Sequence, residues 1–376
     1  MNYYSEFKTN GIVDLEKFYC FAKVHSIETM YFDYFSKRLK EELESISVYS
    51  TWRNKTNIRT LNNTLLFKRS LDILSILDQN GVKVYLLKGA YVRNCYPKNF
   101  YRNMNDIDIL VSTEQLEDAL SIFIAEGYSI ECRSDKDITL VKQGSYKFEL
   151  HFNLFSPSFF NYSSEFTNEC INRNIGFHKI AYELAPTEFL THMIGHIAKH
   201  LYKDGIGFKS IFDIVYFINE RNDAIDYGRL KDYLDKLGIR KIGDAILALA
   251  NEILPFDTKE CHIDKTYMVV LIKVIYDFSL YGSDNEYNIK IMMVNRGESK
   301  NGEIKKSRIL INSVKLRLSK EKNSNLYLIM MPFIIIKYIL QTMFSKGTSM
   351  KKVMFTKTYE DDIIKNKLVL RNLFDK

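Results

Sequence analysis

The sequence from position 86 to position 111 reads LLKGAYVRNCYPKNFYRNMNDIDILV and carries two aspartates, Asp106 and Asp108, two positions apart. The run Asp106–Val111 is rich in β-branched residues and predicts a strand. Residues i and i+2 of a strand project from the same face, so we expect the two carboxylates to point together. Each of two such close charges raises the pKa of the other unless a cation neutralises them. The pair therefore predicts a cation-binding site.

Two more apolar runs predict strands on either side of the aspartates. VKVYLLKG (82–89) precedes them, and YKFELHFNLF (146–155) follows them after a predicted helix, STEQLEDALSIFIAEGY (112–128). Glu149 and His151 share the polar face of the later strand. If the two strands are neighbours, Glu149 is a third carboxylate beside the aspartates. A carboxylate cluster of this kind is typical of a Mg²⁺ or Mn²⁺ site, because these ions prefer oxygen ligands and often bridge substrate phosphates.

Residues that suit a phosphate group lie just before the aspartates. The Lys88-Gly89 turn at the end of the first strand offers backbone N–H groups and a helix N-terminus. Arg102, in the loop before the aspartates, offers a guanidinium group for the remaining phosphate charge. A D-x-D pair is a weak motif alone. Together with the K-G turn, R-x-x-N-D-x-D and E-x-H it forms a far more specific set.

This set, LLKG…YP…RNMNDIDILV…FELHF, resembles the uncharacterised bacterial nucleotidyltransferase family of the DNA polymerase β-type nucleotidyltransferase superfamily. APTEFLTHMIGHIAKH…KSIFDIVYFI is similar to the helical region of that family, and the clear motifs lie between Asn80 and Asn219. The chain has Lys-Gly-Ala in place of the usual Gly-Ser turn, and Glu in place of the usual third Asp. The resemblance implies metal ligands and triphosphate-binding residues. The implied ligands are Asp106, Asp108 and Glu149, and the implied triphosphate-binding residues are Lys88, Gly89 and Arg102.

The expected fold is α+β, with a small mixed β-sheet nucleotidyltransferase core, N-terminal helices and a mainly helical C-terminal region. We predict an N-terminal helical region over residues 1–70 and the core over 71–175. A helical bundle is predicted over 176–255, followed by a basic region over 256–376. The final residues, 290–376, contain 19 lysines and arginines against 7 acidic residues. This balance suits an anionic partner, although a solvated lysine-rich surface is the preferred interpretation.

The expected activity is transfer of a nucleoside monophosphate from an NTP, ATP among them, to an acceptor hydroxyl by a two-metal mechanism with Mg²⁺ (or Mn²⁺). The acceptor stays open between a small molecule, a sugar, a tRNA end and a protein side chain, and the sequence does not indicate the oligomeric state. One alternative is a metal-dependent glycosyltransferase that uses the D-x-D motif, although such an enzyme needs a larger nucleotide-binding domain before the motif. The other alternative is a non-catalytic nucleotide-binding module.

Two patterns in the helical region have less specific interpretations. His192, His196 and His200 recur at i+4 spacing on one predicted helix face, and either a buried polar seam or a substrate-facing surface would produce this pattern. The metalloprotease zinc helix is excluded because its Glu base is missing. Lys209 and Asp213 are also spaced i, i+4, and we expect a simple ion pair on a helix.

The compartment is predicted from the cysteines and the N-terminal residues. Five scattered cysteines without C-x-x-C spacing, and no visible signal peptide, predict a cytoplasmic protein. The apolar stretch 326–344 contains Pro332, which leaves a helix too short to cross a bilayer. We therefore predict a buried helix there and no membrane contact. A peripheral membrane anchor is the competing interpretation.

Overall fold

The computed structural model describes residues 14–160, 162–178, 180–203, 205–259 and 261–281, together with 369, 373 and 374. The described residues before Val269, apart from Lys199–Ile206, form one compact unit. Those of Lys199–Ile206 and Val269–Phe374 form a second unit. The predicted helix over 326–344 and most of the basic C-terminal region lie outside the described residues. The division into four regions stays a prediction.

The predicted fold class is confirmed, because the described residues combine helices with one mixed sheet. Twelve α-helices occur within this part of the chain: α1 (Leu15–Val24), α2 (Glu28–Arg38), α3 (Lys40–Ser45), α4 (Tyr49–Gln79), α5 (Lys88–Val92), α6 (Leu116–Ala125), α7 (Ser164–Asn172), α8 (Pro186–Lys203), α9 (Phe208–Arg221), α10 (Tyr227–Lys236), α11 (Arg240–Ile253) and α12 (Met268–Tyr281). Seven strands form the sheet: β1 (Tyr85–Leu86), β2 (Asp106–Leu110), β3 (Ser129–Arg133), β4 (Asp137–Val141), β5 (Lys147–His151), β6 (Gly176–His178) and β7 (Ala181–Glu183).

The order of strands in the sheet is β3-β4-β5-β2-β1-β7-β6. Strand β2 lies between β5, to which it is parallel, and β1, to which it is antiparallel. The predicted adjacency of the aspartate strand and the glutamate strand is therefore confirmed. Their register sets Asp108 opposite Glu149 and Leu110 opposite His151.

β1 and β5 are much shorter than predicted, and β2 ends one residue early, at Leu110. β1 has only two residues, because the chain enters helix α5 at Lys88. β5 ends at His151, after which the backbone N–H groups of Phe152 and Asn153 both donate to the carbonyl of Lys136. The pairing of β5 with β4 ends at His151, the histidine of the E-x-H motif.

The alternation of β2 and β5 separates an apolar face from a polar one. Ile107 and Ile109 pack with Phe148 and Leu150 in a core cluster that also contains residues of α4 and α6. Each fully buried side chain of this size is worth roughly 1.5–3 kcal/mol. Because side chains alternate along a strand, burial of this face directs the intervening carboxylates to the other side. The apolar core thus sets the direction of the acidic residues.

The N-terminal helices have an aromatic core of their own around Trp52 of α4. Its ring is fully buried against Tyr19, Phe32 and Phe35, and its indole N–H donates to the carbonyl of Glu28 at 2.9 Å. Burial of a tryptophan together with its N–H bond fixes α1 and α2 on the first half of α4.

Helix α8 approaches the end of β5 closely. Gly195 makes this possible, because a Cβ atom there would lie 2.3 Å from Cε1 of Phe155. The same approach brings His192 within 5.8 Å of the Phe155 ring, centroid to centroid. No helix in the part of the chain that the structure describes is both long and apolar enough to cross a bilayer.

Candidate active site

Three ligand-type side chains meet on the polar face of β2 and β5. Asp108, Glu149 and His151 each offer one atom, and these atoms lie within 4.8 Å of one another. Asp108 is only 4% exposed and His151 is fully buried, whereas Glu149 is partly open to solvent. The arrangement follows from the parallel register, which sets the aspartate beside the glutamate and the histidine two residues further along.

The ammonium of Lys88 lies among these carboxylates. Its Nζ atom donates to Oδ1 of Asp108 at 2.5 Å and to Oε2 of Glu149 at 3.4 Å. Burial alone would lower the pKa of Lys88, but the two carboxylates more than offset it and raise the pKa above its ordinary value. Lys88 therefore stays charged and acts as an internal cation for the acidic pair.

The two aspartates of the motif respond to this charge in opposite ways. Burial raises the pKa of Asp106, and the neighbouring Asp108 raises it further. Burial also tends to raise the pKa of Asp108, but the Lys88 charge and a bond to His151 hold it well below the usual value. The Lys88 ammonium therefore stabilises the charged form of Asp108, whereas the nearby negative charge of Asp108 destabilises the charged form of Asp106. Asp106 lies outside the set of three close ligand atoms.

His151 is oriented by groups at both ring nitrogens. Its Nε2 lies 3.1 Å from Oδ1 of Asp108 and 3.6 Å from Oε2 of Glu149. Its Nδ1 lies 3.4 Å from Nζ of Lys136 and 3.9 Å from Oδ2 of Asp137. Sequence reasoning placed His151 on the same face as Glu149 but assigned it no ligand role. The E-x-H spacing was the available signal.

Arg102 forms an ion pair with Asp213 of helix α9. Its Nε donates to Oδ1 of Asp213 at 2.6 Å, and the hydroxyl of Tyr96 donates to the same oxygen at 2.7 Å. The guanidinium also lies against Gly89, where an added Cβ would approach Arg102 Cζ to 3.1 Å. The structure therefore brings the predicted phosphate residues Gly89 and Arg102 together, with Asp213 as the partner of the arginine. Lys88, the third of them, is paired elsewhere.

The expected ion pair between Lys209 and Asp213 is wrong. Asp213 pairs with Arg102 from the loop before β2, and Lys209 forms no hydrogen bond or ion pair among the described residues. The positive charge of Arg102, with burial, lowers the pKa of Lys209 to about 8. Lys209 is half-buried, and both Asp213 and Asp106 partly offset this shift. It is therefore a cation near the site that lacks a fixed carboxylate partner.

His192 of α8 lies next to His151, with ring centroids 6.5 Å apart and the rings nearly perpendicular. It is 1% exposed, and neither ring nitrogen has a hydrogen-bond partner among the described residues. Burial, together with the charges of Lys88 and His151, lowers its pKa well below the usual value. His192 is thus a neutral imidazole at the edge of the site. His196 follows it on the same helix, 6.4 Å away between ring centroids.

Comparison with known proteins gives one family match. One family model, described as an uncharacterised nucleotidyltransferase, matches residues 12–255. The matched range contains the whole sheet and the helices from α1 to α11. No curated protein and no solved structure matches the chain.

Proposed function

The chain belongs to this uncharacterised nucleotidyltransferase family, and we propose that it transfers a nucleoside monophosphate from an NTP to an acceptor hydroxyl and releases pyrophosphate. One observation above all supports the proposal. Asp108 and Glu149 lie opposite each other on adjacent parallel strands, with Asp106 on the same strand as Asp108. Carboxylates in this arrangement suit displacement at phosphorus, which depends on neutralising and positioning oxygen atoms.

The donor set fits a divalent cation such as Mg²⁺ or Mn²⁺. Asp106, Asp108 and Glu149 offer carboxylate oxygens, which both ions accept. The Lys88 ammonium between two of these carboxylates indicates that the place favours a positive charge. When bound, a divalent cation would neutralise charge on the attacking and leaving oxygens of the displacement.

The chain's own residues would orient the acceptor. Hydrogen bonding to His151 holds the pKa of Glu149 below its usual value, and the nearby Lys88 lowers it further. The carboxylate is therefore ionised at neutral pH and can accept a hydrogen bond from the acceptor hydroxyl. His192 and Phe155 are buried beside the end of β5, whereas Glu149 is partly open to solvent. Burial of Asp108 and His151 strengthens the polar contacts that these two side chains make.

We assign the triphosphate contacts to three cationic side chains, which differ in whether a carboxylate already pairs with them. Arg102 is held by Asp213, and Lys88 by Asp108 and Glu149. Lys209 forms no such pair within the described part of the chain. It is therefore the cation that can approach a phosphate oxygen without first breaking an ion pair.

A non-catalytic nucleotide-binding module is the second candidate. The observation in its favour is again Lys88, because an internal ammonium already neutralises the carboxylates that a metal would need. The family match gives no support to the glycosyltransferase alternative.

Labelled nucleotides distinguish transfer from binding. The full chain would be incubated with each α-³²P-labelled NTP, Mg²⁺ or Mn²⁺, and a cell extract as the source of acceptors. Transfer predicts label on an acceptor and release of unlabelled pyrophosphate, both lost in Asp108→Asn. Nucleotide binding by calorimetry without any transfer of label would instead support the binding module.

A further inference from the structure

We infer that Asp108, Glu149 and His151 form a mixed oxygen–nitrogen metal site, in which Nε2 of His151 is a ligand and Mn²⁺ is preferred to Mg²⁺. The inference deepens the proposed function and rests on it for the premise that a metal is bound. It adds a ligand that the carboxylate motif does not contain.

The spacing of the three donors fits a single ion. Adjacent ligands of an octahedral ion at about 2.1 Å are about 3 Å apart. Nε2 of His151 lies 3.1 Å from Oδ1 of Asp108 and 3.6 Å from Oε2 of Glu149. All three donors lie within 4.8 Å of one another. The donors themselves therefore need little movement to share one cation, which would take the place of the Lys88 ammonium beside Asp108 and Glu149.

His151 is held in an orientation that suits a metal ligand. It is fully buried, and Nε2, not Nδ1, faces the two carboxylates. Ligating histidines usually have a carboxylate or carbonyl near the other nitrogen, which fixes the ring. Here Nδ1 faces the ion pair of Lys136 and Asp137, with Nζ of Lys136 at 3.4 Å and Oδ2 of Asp137 at 3.9 Å. Asp137 is paired with His151 across β4 and β5, so the backbone register sets this neighbour.

A second, independent observation comes from α8. His192 is 1% exposed and lies beside His151, yet neither of its ring nitrogens has a partner within the described residues. Buried polar atoms in folded proteins nearly always have hydrogen-bond partners. An imidazole left without one at the edge of a ligand cluster indicates that a bound group completes its hydrogen bonding.

The nitrogen ligand determines the class of metal. Mg²⁺ demands oxygen ligands and retains several waters, whereas imidazole binds first-row transition ions well. The present set has two oxygen ligands, from the carboxylates, and one nitrogen ligand, from the imidazole. Of the two ions considered for the proposed function, Mn²⁺ accepts a nitrogen ligand more readily than Mg²⁺, so we expect Mn²⁺ to be preferred to Mg²⁺.

Electron paramagnetic resonance of Mn²⁺ tests the ligand directly and without any measurement of activity. The full chain would be titrated with Mn²⁺, and the bound ion examined by pulsed methods for coupling to nitrogen. We expect a ¹⁴N coupling that changes to the ¹⁵N pattern in protein labelled with ¹⁵N-histidine. Bound Mn²⁺ without nitrogen coupling, or no Mn²⁺ binding at millimolar concentration, would overturn the inference even if no variant were made.

Two variants locate the nitrogen. His151→Gln keeps a polar side chain but removes the imidazole, so we expect loss of the coupling and at least a tenfold weaker affinity for Mn²⁺. The preference for Mn²⁺ over Mg²⁺ should shrink in the same variant. The matched control, His262→Gln, changes an exposed histidine in the loop before α12 and should leave the coupling intact. Coupling that persists in a folded His151→Gln protein would assign the nitrogen to another residue and refute the inference.

Failure of the inference and failure of the proposed function give different results. Nitrogen-coupled Mn²⁺ without label transfer would leave the metal site in place and remove the activity. Label transfer with Mn²⁺ that shows no nitrogen coupling would retain the activity and reduce the site to oxygen ligands.

Discussion

Lys88 and Asp108 form a buried ion pair with 2.5 Å between Nζ and Oδ1, and Lys88 has a φ of +40°. A residue with a Cβ atom rarely adopts this left-handed region, and such strain persists only where the surroundings demand it. In this backbone conformation, the Lys88 side chain makes both the ion pair with Asp108 and a second contact to Glu149. The same ammonium occupies the place in which the proposed function requires a metal.

Removing the Lys88 charge should therefore strengthen metal binding. In Lys88→Met we expect the affinity for Mn²⁺ to rise roughly tenfold, or ~1.4 kcal/mol, because no ammonium competes for Asp108 and Glu149. Without metal the same variant should lose about 1–3 kcal/mol of unfolding free energy, the cost of unpaired buried groups. Calorimetric titration and urea unfolding measure the two effects. Lys83→Met, at an exposed position, is the control and should change neither.

The aspartates of the motif should differ in their effect on stability. The folded-state pKa of Asp106 is raised above about 3.8, so its ionisation opposes folding as the pH rises through that pKa. Asp106→Asn should therefore increase the unfolding free energy at pH 7 and bring no gain below pH 3.8. Urea unfolding of the variant and the wild type at pH 7 and below pH 3.8 measures the difference in unfolding free energy. A less stable Asp106→Asn protein at pH 7 would contradict the assignment of the uncompensated charge to Asp106.

Asp108→Asn should act in the opposite direction. The folded-state pKa of Asp108 is lowered, so its carboxylate stabilises the protein above about 3.8 and loses this effect as the pH falls. The variant should be roughly 1–3 kcal/mol less stable at pH 7, because the Lys88 charge loses its closest partner. The difference from wild type should shrink in acid. Both aspartate variants should also abolish label transfer.

Glu149→Gln should separate binding from transfer. The amide retains the size of the side chain, and the triphosphate contacts are assigned to other residues, so we expect nucleotide affinity to stay near the wild-type value. Turnover should fall at least 100-fold, or about 2.7 kcal/mol of transition-state stabilisation. Calorimetry with a non-hydrolysable NTP and single-turnover label transfer measure the two quantities. Equal losses of both would mean that Glu149 is structural.

Lys209→Met should weaken nucleotide binding and stabilise the free protein. We expect the Kd for NTP to rise about tenfold, because a charge-assisted bond to phosphate is lost. Lys209→Arg keeps the charge and should bind nearly as wild type does. Nucleotide affinity that is unchanged in Lys209→Met would exclude Lys209 from the phosphate contacts.

The stability of Lys209→Met should depend on pH in a defined sense. Burying the charged form of a lysine whose pKa is lowered to about 8 opposes folding below that pH. The variant should therefore be more stable than wild type at pH 7, by roughly 1–2 kcal/mol after allowance for partial exposure. The difference in unfolding free energy between the variant and the wild type should become smaller as the pH rises from 8 towards 10.5, because Lys209 of the folded wild type is then neutral. Thermal unfolding at pH 7 and pH 10 measures the change.

Much of the site could be predicted from local spacing. The alternation in DIDILV and in YKFELHF determined that Asp106 and Asp108 share one strand face and that Glu149 and His151 share another. It also determined that Ile107 and Ile109 enter the core, as the structure confirms. Such predictions succeed because the period of two is a property of the strand backbone and needs no knowledge of its neighbours.

The tertiary structure alone decided which charges meet. Arg102 pairs with Asp213 across 111 residues of sequence, although Lys209 is only four residues from that carboxylate. Lys88 turns towards Asp108 at the end of a strand that is shorter than its apolar run suggested. Whether a cation reaches one carboxylate or another depends on where helices and loops come to rest against the sheet. Packing of the whole core sets those positions, and no local spacing contains them.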